Sequence, residues 1–220
     1  MAPEEFDRAP PGEEINPGPE TRPRQAATII LLRGGEEKLE LLLVKRNPEA
    51  RFMGGVWVFP GGAVDATEGE GDASHRAAAI RELEEEAGVR LAADAPLVKF
   101  SRWITPAEVK IRFDTHFFLA ELPDRQEPVI DGSEIVDVGW FSPAAALHAH
   151  REGRILLVFP TIKHLEQLEA FPSARAVIDH ARGRDVQPVQ PRVIVTGEVA
   201  RVLLPGEPGY EQAAQRPKRP

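Results

Sequence analysis

The sequence predicts an α/β fold: a mixed sheet held between helices as an α/β/α sandwich, with extra helices at the C-terminal end. Three observations predict it. Apolar runs of strand length alternate with longer stretches of helical periodicity between residues 26 and 204, the pattern of helices laid on a sheet. A glycine corner, Pro60-Gly61-Gly62, closes one of these runs and leads into an acidic amphipathic helix. The chain of 220 residues is long enough for one sizeable core with a helical appendage.

Residues 1–24 are rich in Pro, Glu, Gly and Arg and poor in large apolar side chains, which reads as a disordered or draped arm. The domain then spans 25–210, and residues 211–220 read as a flexible tail. Residues 26–32 and 39–45 are apolar strands around the turn Arg33-Gly34-Gly35, a hairpin-like pair. Residues 56–59 form a short strand. Residues 74–87 form the acidic helix, with Ser74 as its N-cap. Residues 97–103 and 112–122 are strands, the second alternating Phe113, Thr115, Phe117 and Leu119. Residues 135–141 add another. Residues 143–152 are helical with proline in the first turn. Two more helices follow at 161–170 and 173–182, then an extended stretch at 193–204. No internal repeat is visible.

Composition narrows the partners. A net charge of −8 argues against a nucleic-acid partner, so a small anionic substrate needs metal or local arginine. The absence of cysteine excludes disulfides and thiolate chemistry. There is no apolar run of membrane-spanning length and no basic-then-apolar leader, so the expected location is cytoplasmic and no membrane partner is expected.

The most informative stretch is Arg81-Glu82-Leu83-Glu84-Glu85-Glu86-Ala87-Gly88-Val89. Helical neighbours lie three and four residues apart, so Glu82, Glu85 and Glu86 face one way. Ile80, Leu83 and Ala87 fall on the other side, with Glu84 at its margin, and can pack on a sheet. Carboxylates this close repel and raise one another's pKa; a divalent cation with oxygen ligands holds them ionised together. Taken alone, the run is also what a solvated helix face looks like, and Gly88 is placed as a C-cap.

The upstream corner changes that balance. Pro60-Gly61-Gly62, an acidic loop, then Arg81-Glu82-Leu83, Glu85-Glu86 and Gly88-Val89 in order closely resembles the signature of the Nudix hydrolases. The resemblance implies the α/β/α fold and hydrolysis of a nucleoside diphosphate linked to some other group. It also implies that Glu82, Glu85 and Glu86 are ligands to Mg²⁺ or Mn²⁺, that the Gly61 carbonyl completes the site, and that Arg81 is a brace. One departure stands out. The family's upstream glutamate lies six residues after the second glycine and eight before the arginine; Glu68 meets only the first spacing, because the loop is about five residues longer than the family pattern. The brace for Arg81 is therefore open among Glu68, Glu70 and Asp72.

The candidate catalytic side chains are Glu85, Glu134 and Arg81. Glu85 is one candidate base; Glu134, with Asp131 behind it, is the candidate from a later loop, in a region where some relatives carry a functional glutamate. His75 reads as an exposed helix residue and His116 as a partly buried structural one. Trp103, Phe113, Phe117 and Trp140 read as core.

Residues 42–62 also resemble the coenzyme A pyrophosphatase motif: two leucines, Arg46, Arg51, Gly55, then Phe59-Pro60-Gly61-Gly62 at matching spacing. Val44 stands where that motif has threonine, and Asn47 where it has a small residue. Arg46, Arg51 and Gly62 are the candidate substrate-binding residues. Arginine suits the ribose 3′-phosphate of coenzyme A because its planar fork donates two parallel hydrogen bonds. Further segments, Trp103 to Pro106, Arg112 to Thr115, Pro160-Thr161 and Leu204 to Tyr210, resemble the larger branch that includes peroxisomal coenzyme A diphosphatases, without a role attached to them. The chain ends Arg216-Pro217-Lys218-Arg219-Pro220, so no peroxisomal address is expected. The expected activity is metal-dependent cleavage of coenzyme A or acyl-coenzyme A. The alternatives are a hydrolase of ADP-ribose, NADH or another nucleoside diphosphate derivative, and a non-catalytic ligand sensor. The partner is a small nucleotide-derived molecule; a homodimer is expected by family analogy alone.

Overall fold

Strands that are apolar on every residue need cover on both faces, and that requirement sets the architecture. The computed structural model of the chain describes residues 5–6, 14–130, 132–196 and 199–214. Its central strands are β2 (Arg24–Arg33) and β7 (Phe113–Glu121), which pair in parallel from Arg24 opposite Phe113 to Leu32 opposite Glu121. Ala27, Ile29 and Leu31 of β2 point into one core and Ile30 and Leu32 into the other. In β3 (Glu40–Arg46), Leu42 and Val44 join the first core and Leu41 and Leu43 the second.

The first core is covered by α1 (Asp72–Ala87), through Ala78, Ala79, Leu83 and Ala87. The second is covered by α2 (Pro143–Arg151), α3 (Phe159–Leu168) and α4 (Ala174–Ala181). A helix layer thus lies on each face of a mixed sheet, and the α/β class read from the sequence holds. The remaining strands of this sheet are β4 (Val56–Val58), β5 (Gly61–Ala63), β6 (Val98–Ile104), β8 (Ile135–Phe141), β9 (Leu156–Leu157) and β10 (Pro188–Val189). They run in the order β10-β6-β7-β2-β3-β4-β9, with β5 also pairing to β2 and β8 to β3. Among the described residues, no helix is long and apolar enough to cross a membrane.

Several local readings are corrected. The stretch expected to be extended is so, as the two strands of a hairpin, β11 (Arg192–Thr196) against β12 (Val199–Leu203), which forms a separate small sheet with β1 (Glu5–Phe6). Ser74 is not the cap of α1. The helix begins at Asp72 behind Gly71, whose φ of 77° needs no side chain, and Ser74 Oγ donates back to the Gly71 carbonyl at 2.7 Å. The turn after β2 makes only a short hairpin, Leu32 to Leu41 and Arg33 to Glu40, because farther along the same edge β3 pairs with β4, at Val44 and Lys45, while β8 takes the opposite edge. β5 was invisible to pattern reading: Gly-Gly-Ala has no strand propensity, and only the β2 backbone opposite it makes it a strand. Tyr210–Ala214 forms α5 where a tail was read from residue 211; the rest of that tail, 215–220, and positions 1–4 and 7–13 of the arm lie outside the described residues. The described residues 14–23 of the arm lie beside residues 108–112: Asn16 N–H donates to the Glu108 carbonyl at 2.7 Å, and Arg112 Nη1 donates to Glu20 Oε1 and to the Thr21 carbonyl, both at 2.6 Å.

Candidate active site

The site forms where α1 lies against β5. Both glycines of the corner are there for space. A Cβ on Gly61 would lie 2.5 Å from the Ala27 carbonyl oxygen, and one on Gly62 2.6 Å from the Glu82 carboxyl carbon. The backbone therefore comes as near to the neighbouring strand and to the acidic helix as a chain can. The buried stripe of α1 fixes its roll, which carries Glu82, Glu85 and Glu86 along this corner. Gly88 ends the helix in the left-handed conformation, φ 65°, donating to the Glu84 carbonyl at 2.9 Å.

Arg81 ties the corner together. Its Nε donates to Glu68 Oε1 at 2.9 Å, its Nη1 to Glu82 Oε1 at 2.7 Å and Glu85 Oε2 at 2.8 Å, and its Nη2 to the Ala63 carbonyl at 3.0 Å. The Glu68 hydrogen bond, ahead of those from Glu82 and Glu85, raises the pKa of this guanidinium despite partial burial. The open question of the brace is answered: it is Glu68. Glu70 is exposed, and Asp72 pairs with Lys99 and Arg76. Glu68 keeps its spacing from the glycines because Asp65 and Glu68 form a capping box on a short 3-10 turn, Ala66–Glu68. The extra residues come after it, in the exposed stretch Gly69-Glu70-Gly71 and the first turns of α1, and leave the bond intact.

Glu86 is the most deeply placed carboxylate, 5% exposed. Its Oε2 accepts from the Gly61 N–H at 2.9 Å and its Oε1 from Arg46 Nη1 at 3.3 Å. Burial pushes its pKa up to about 8; Gly61 and Arg46 pull it down, and Glu82 and Glu134 push it further up. Burial likewise raises Glu82, only partly offset by Arg81. Arg46 reaches on to Glu134 Oε1 at 2.8 Å, so the later-loop carboxylate does arrive at the corner. Asp131 lies outside the described residues. Asn47, a departure from the motif, has a structural use: its Nδ2 donates to the Ser133 carbonyl and its N–H to the Glu134 carbonyl, both at 2.8 Å, which holds the Glu134 loop in place.

The donor set suits a hard cation. It consists of carboxylate oxygens, two of them on side chains whose burial disfavours their charge unless a cation is near. Among the described residues no three such side chains already converge in an ion-holding arrangement. Guanidinium groups take up the charge instead, Arg81 on Glu82 and Glu85, Arg46 on Glu86 and Glu134.

The corner opens into a cavity of about 480 Å³. Glu82, Glu85, Glu86, Glu134, Arg46 and both glycines line it. Arg51 does not; it is exposed on the loop after β3, so the two candidate substrate arginines are not brought together on the cavity wall. Of the four aromatics read as core, Phe117 is buried in the second core and Trp103 packs against it, and both, with Phe113, also line the cavity. Trp140 packs at the α1-side core under the Arg33 guanidinium. The segments that carried no role in the sequence, Trp103 to Pro106, Phe113 and Thr115, and Pro160-Thr161, are its walls.

The histidines stand apart from this cavity. His75 is buried rather than exposed: it sits one and two helical repeats before Ala79 and Leu83 on the sheet-facing stripe. Its Nε2 lies 2.9 Å from Gln25 Oε1, and its ring stacks on His116 with centroids 3.9 Å apart. Burial, then the His75 ring and Arg102, lower His116 to about 4.

Comparison with known proteins places the fold and the family. The family described as NUDIX domain matches residues 22–158, and the chain belongs to it. The nudix hydrolase 7 of Caenorhabditis elegans is 30% identical over 89% of this chain and 78% of its own length. The human acyl-coenzyme A diphosphatase NUDT19 is 24% identical over 89% of this chain and 82% of its own. The crystal structure of a NUDIX hydrolase from Alicyclobacillus acidocaldarius superposes with a TM-score of 0.65 at 27% identity, covering 72% of this chain and 96% of that one. The protein is a Nudix hydrolase, an enzyme acting on phosphoanhydride bonds, of a family that uses divalent metal ions.

Proposed function

We propose that this enzyme is a metal-dependent diphosphatase of coenzyme A or acyl-coenzyme A. It hydrolyses the pyrophosphate to 4′-phosphopantetheine, or its acyl form, and adenosine 3′,5′-bisphosphate. The observation that carries the reading is the placing of four carboxylates and Arg46 around the glycine corner at one end of a single cavity. The coenzyme A assignment is supported by the spacing of Arg46, Arg51, Gly55 and Phe59-Pro60-Gly61-Gly62, and by the human relative, which is named an acyl-coenzyme A diphosphatase.

Glu86 and Glu82, with Glu85, hold Mg²⁺ or Mn²⁺ in this reading. A divalent cation held there would neutralise the diphosphate oxygens and lower the pKa of a bound water. Glu85 and Glu134, the two more exposed carboxylates of the corner, are placed to take the proton of the attacking water. Arg81 holds Glu82 and Glu85 in register by donating to both carboxylates. Arg46, at the end of β3, presents its fork inside the cavity, and Arg51, on the loop that follows β3, reaches the ribose 3′-phosphate from outside it.

The test is a substrate panel with Mg²⁺ or Mn²⁺ and mass identification of products: coenzyme A, acetyl-coenzyme A, dephospho-coenzyme A, ADP-ribose, NADH and a deoxynucleoside triphosphate. Coenzyme A is expected to lead, with dephospho-coenzyme A at least about tenfold poorer in kcat/KM, the loss of one good charge-assisted contact. Equal rates with and without the 3′-phosphate remove the arginines' role. Turnover of ADP-ribose or NADH alone overturns the coenzyme A assignment and leaves the diphosphatase.

A further inference from the structure

The cavity has two chemically different ends. At one lie the glycines and carboxylates. The other has apolar walls to which residues outside the family match contribute: Ile15 before it, and Val193 and Val202 after it. The floor connecting the two is one face of β2 and β7: Thr28, Ala26 and Arg24 on the first, paired with Phe117, Thr115 and Phe113 on the second. Thr28 adjoins Gly61. Arg24, four residues back along the strand, lies about 13 Å away at the usual rise.

At that far end the hairpin is fastened in place. Val193 N–H donates to Glu108 Oε2 at 3.4 Å, and Ile15 bridges Val109 in the same loop. Tyr210 of α5 anchors the hairpin from behind: its hydroxyl donates to the Gln190 carbonyl at 2.7 Å, its carbonyl accepts from Arg192, and its ring lies 3.9 Å from that guanidinium. Val193 and Val202 are a cross-strand pair, so the hairpin presents them to the cavity as one apolar surface. Two large apolar side chains at the mouth are left open to solvent, Ile15 at 41% and Ile111 at 38%. Exposed apolar groups gathered at the rim of an apolar wall, continuous with a phosphate-binding corner, mark the place for an apolar part of the ligand.

We propose that this far end is a subsite for an unbranched hydrocarbon chain carried by the substrate, and that Val193, Val202 and Ile111 set chain-length preference. The inference rests on the reading that the acidic corner takes the diphosphate. A group anchored there must run the length of the floor before it meets the hairpin. Unacylated and short-acyl substrates therefore leave the valines uncovered, and medium chains cover them. The acyl end, remote from the cleaved bond, then affects binding and leaves the chemical step alone.

The experiment is a kinetic series of coenzyme A with acetyl, octanoyl and lauroyl thioesters on the wild type, Val193→Asp and Ile111→Asp. The second variant alters a solvent-open side chain, which guards against a folding defect in the first. In the wild type KM is expected to fall at least tenfold from acetyl to lauroyl at nearly constant kcat, since each methylene removed from water is worth about fourfold, the equivalent of about 0.8 kcal/mol. Both aspartates are expected to abolish that fall. A KM indifferent to chain length in the wild type, or a fall that survives both substitutions, overturns the subsite. A second readout needs no turnover: thermal protection by dodecyl phosphate against ethyl phosphate, with Mg²⁺. Protection that depends on the tail and on Val193, in an enzyme inactive on coenzyme A, upholds the subsite and defeats the coenzyme A reading. Turnover of coenzyme A with no tail dependence in either readout does the reverse.

Discussion

Glu86 shows how one side chain is set for its task. It is buried against Gly61, and its carboxyl stays protonated in the folded chain until about pH 8, while an ordinary glutamate loses its proton near 4.5. The folded state therefore binds more protons than the unfolded one between those values. Without metal, the stability tied to the neutral group is fully present below pH 4.5 and is lost as pH rises through 8. Glu86→Gln is expected to flatten that dependence in calorimetry with chelator present and to abolish stabilisation by added Mn²⁺. It is also expected to lower turnover by roughly a hundredfold or more, the loss of about 3 kcal/mol of metal-borne charge stabilisation. A variant that keeps the wild-type response to Mn²⁺ removes Glu86 from the metal site. The sequence made this residue a ligand candidate through its helical spacing. Its depth was not legible there, because Glu82, Glu85 and Glu86 are equivalent in a helical projection and only the sheet beside α1 separates them.

At the scale of elements, the joint between the loop 65–71 and α1 is decided by a single arginine. Glu68, Glu82, Glu85 and the Ala63 carbonyl all converge on Arg81. Glu68→Ala is expected to destabilise the fold by about 1–3 kcal/mol, the cost of leaving a partly buried charged donor without its principal acceptor. Because the same arginine positions Glu82 and Glu85, Mn²⁺ affinity measured by electron paramagnetic resonance titration should fall with it. An unchanged affinity would confine Glu68 to holding the loop. The lengthened loop made two spacing rules disagree in the sequence. The capping box of Asp65 and Glu68 settles the matter, since a local hydrogen-bonded turn keeps its own register whatever is inserted after it. Ser74 misled for a related reason: a serine before a helical pattern is a cap only if nothing upstream can begin the helix sooner, and Gly71 can.

Across the whole molecule, two imidazoles held neutral on opposite sides of the sheet tie stability to pH. His116 is lowered to about 4 chiefly by burial, and His164, wholly buried among aromatic rings with Ser101 Oγ 2.6 Å from its Nε2, is lowered to about 3 for the same reason. In the unfolded chain both take up protons near 6.5. Their contribution is therefore complete above pH 6.5 and is lost as pH falls through 4 and 3, opposite in sign to that of Glu86. Urea unfolding between pH 6 and 4.5 is expected to lose about 1.4 kcal/mol per pH unit for each imidazole. His116→Gln should remove one such slope; an undiminished slope would show that His116 does not titrate with folding. Asp114 adds nothing in this window: burial opposes its charge, but Arg102 outweighs burial and keeps the carboxyl below the usual range, so its loss of charge comes later.

What the chain alone determined is local in origin. Helical and strand periodicity gave the α/β class, and the order Pro60-Gly61-Gly62, Arg81-Glu82, Glu85-Glu86 marked the acidic corner, because such signals depend on neighbours a few residues apart. The tertiary structure decided what depends on distant segments meeting: β5 as a strand, Glu134 beside Arg46, His75 turned inward, Arg51 left outside. It also made a cavity wall of Trp103, Phe113, Val193 and Val202. An aromatic or branched side chain looks the same in a sequence whether it fills a core or lines a cavity, and only the position of the opposing surface tells which.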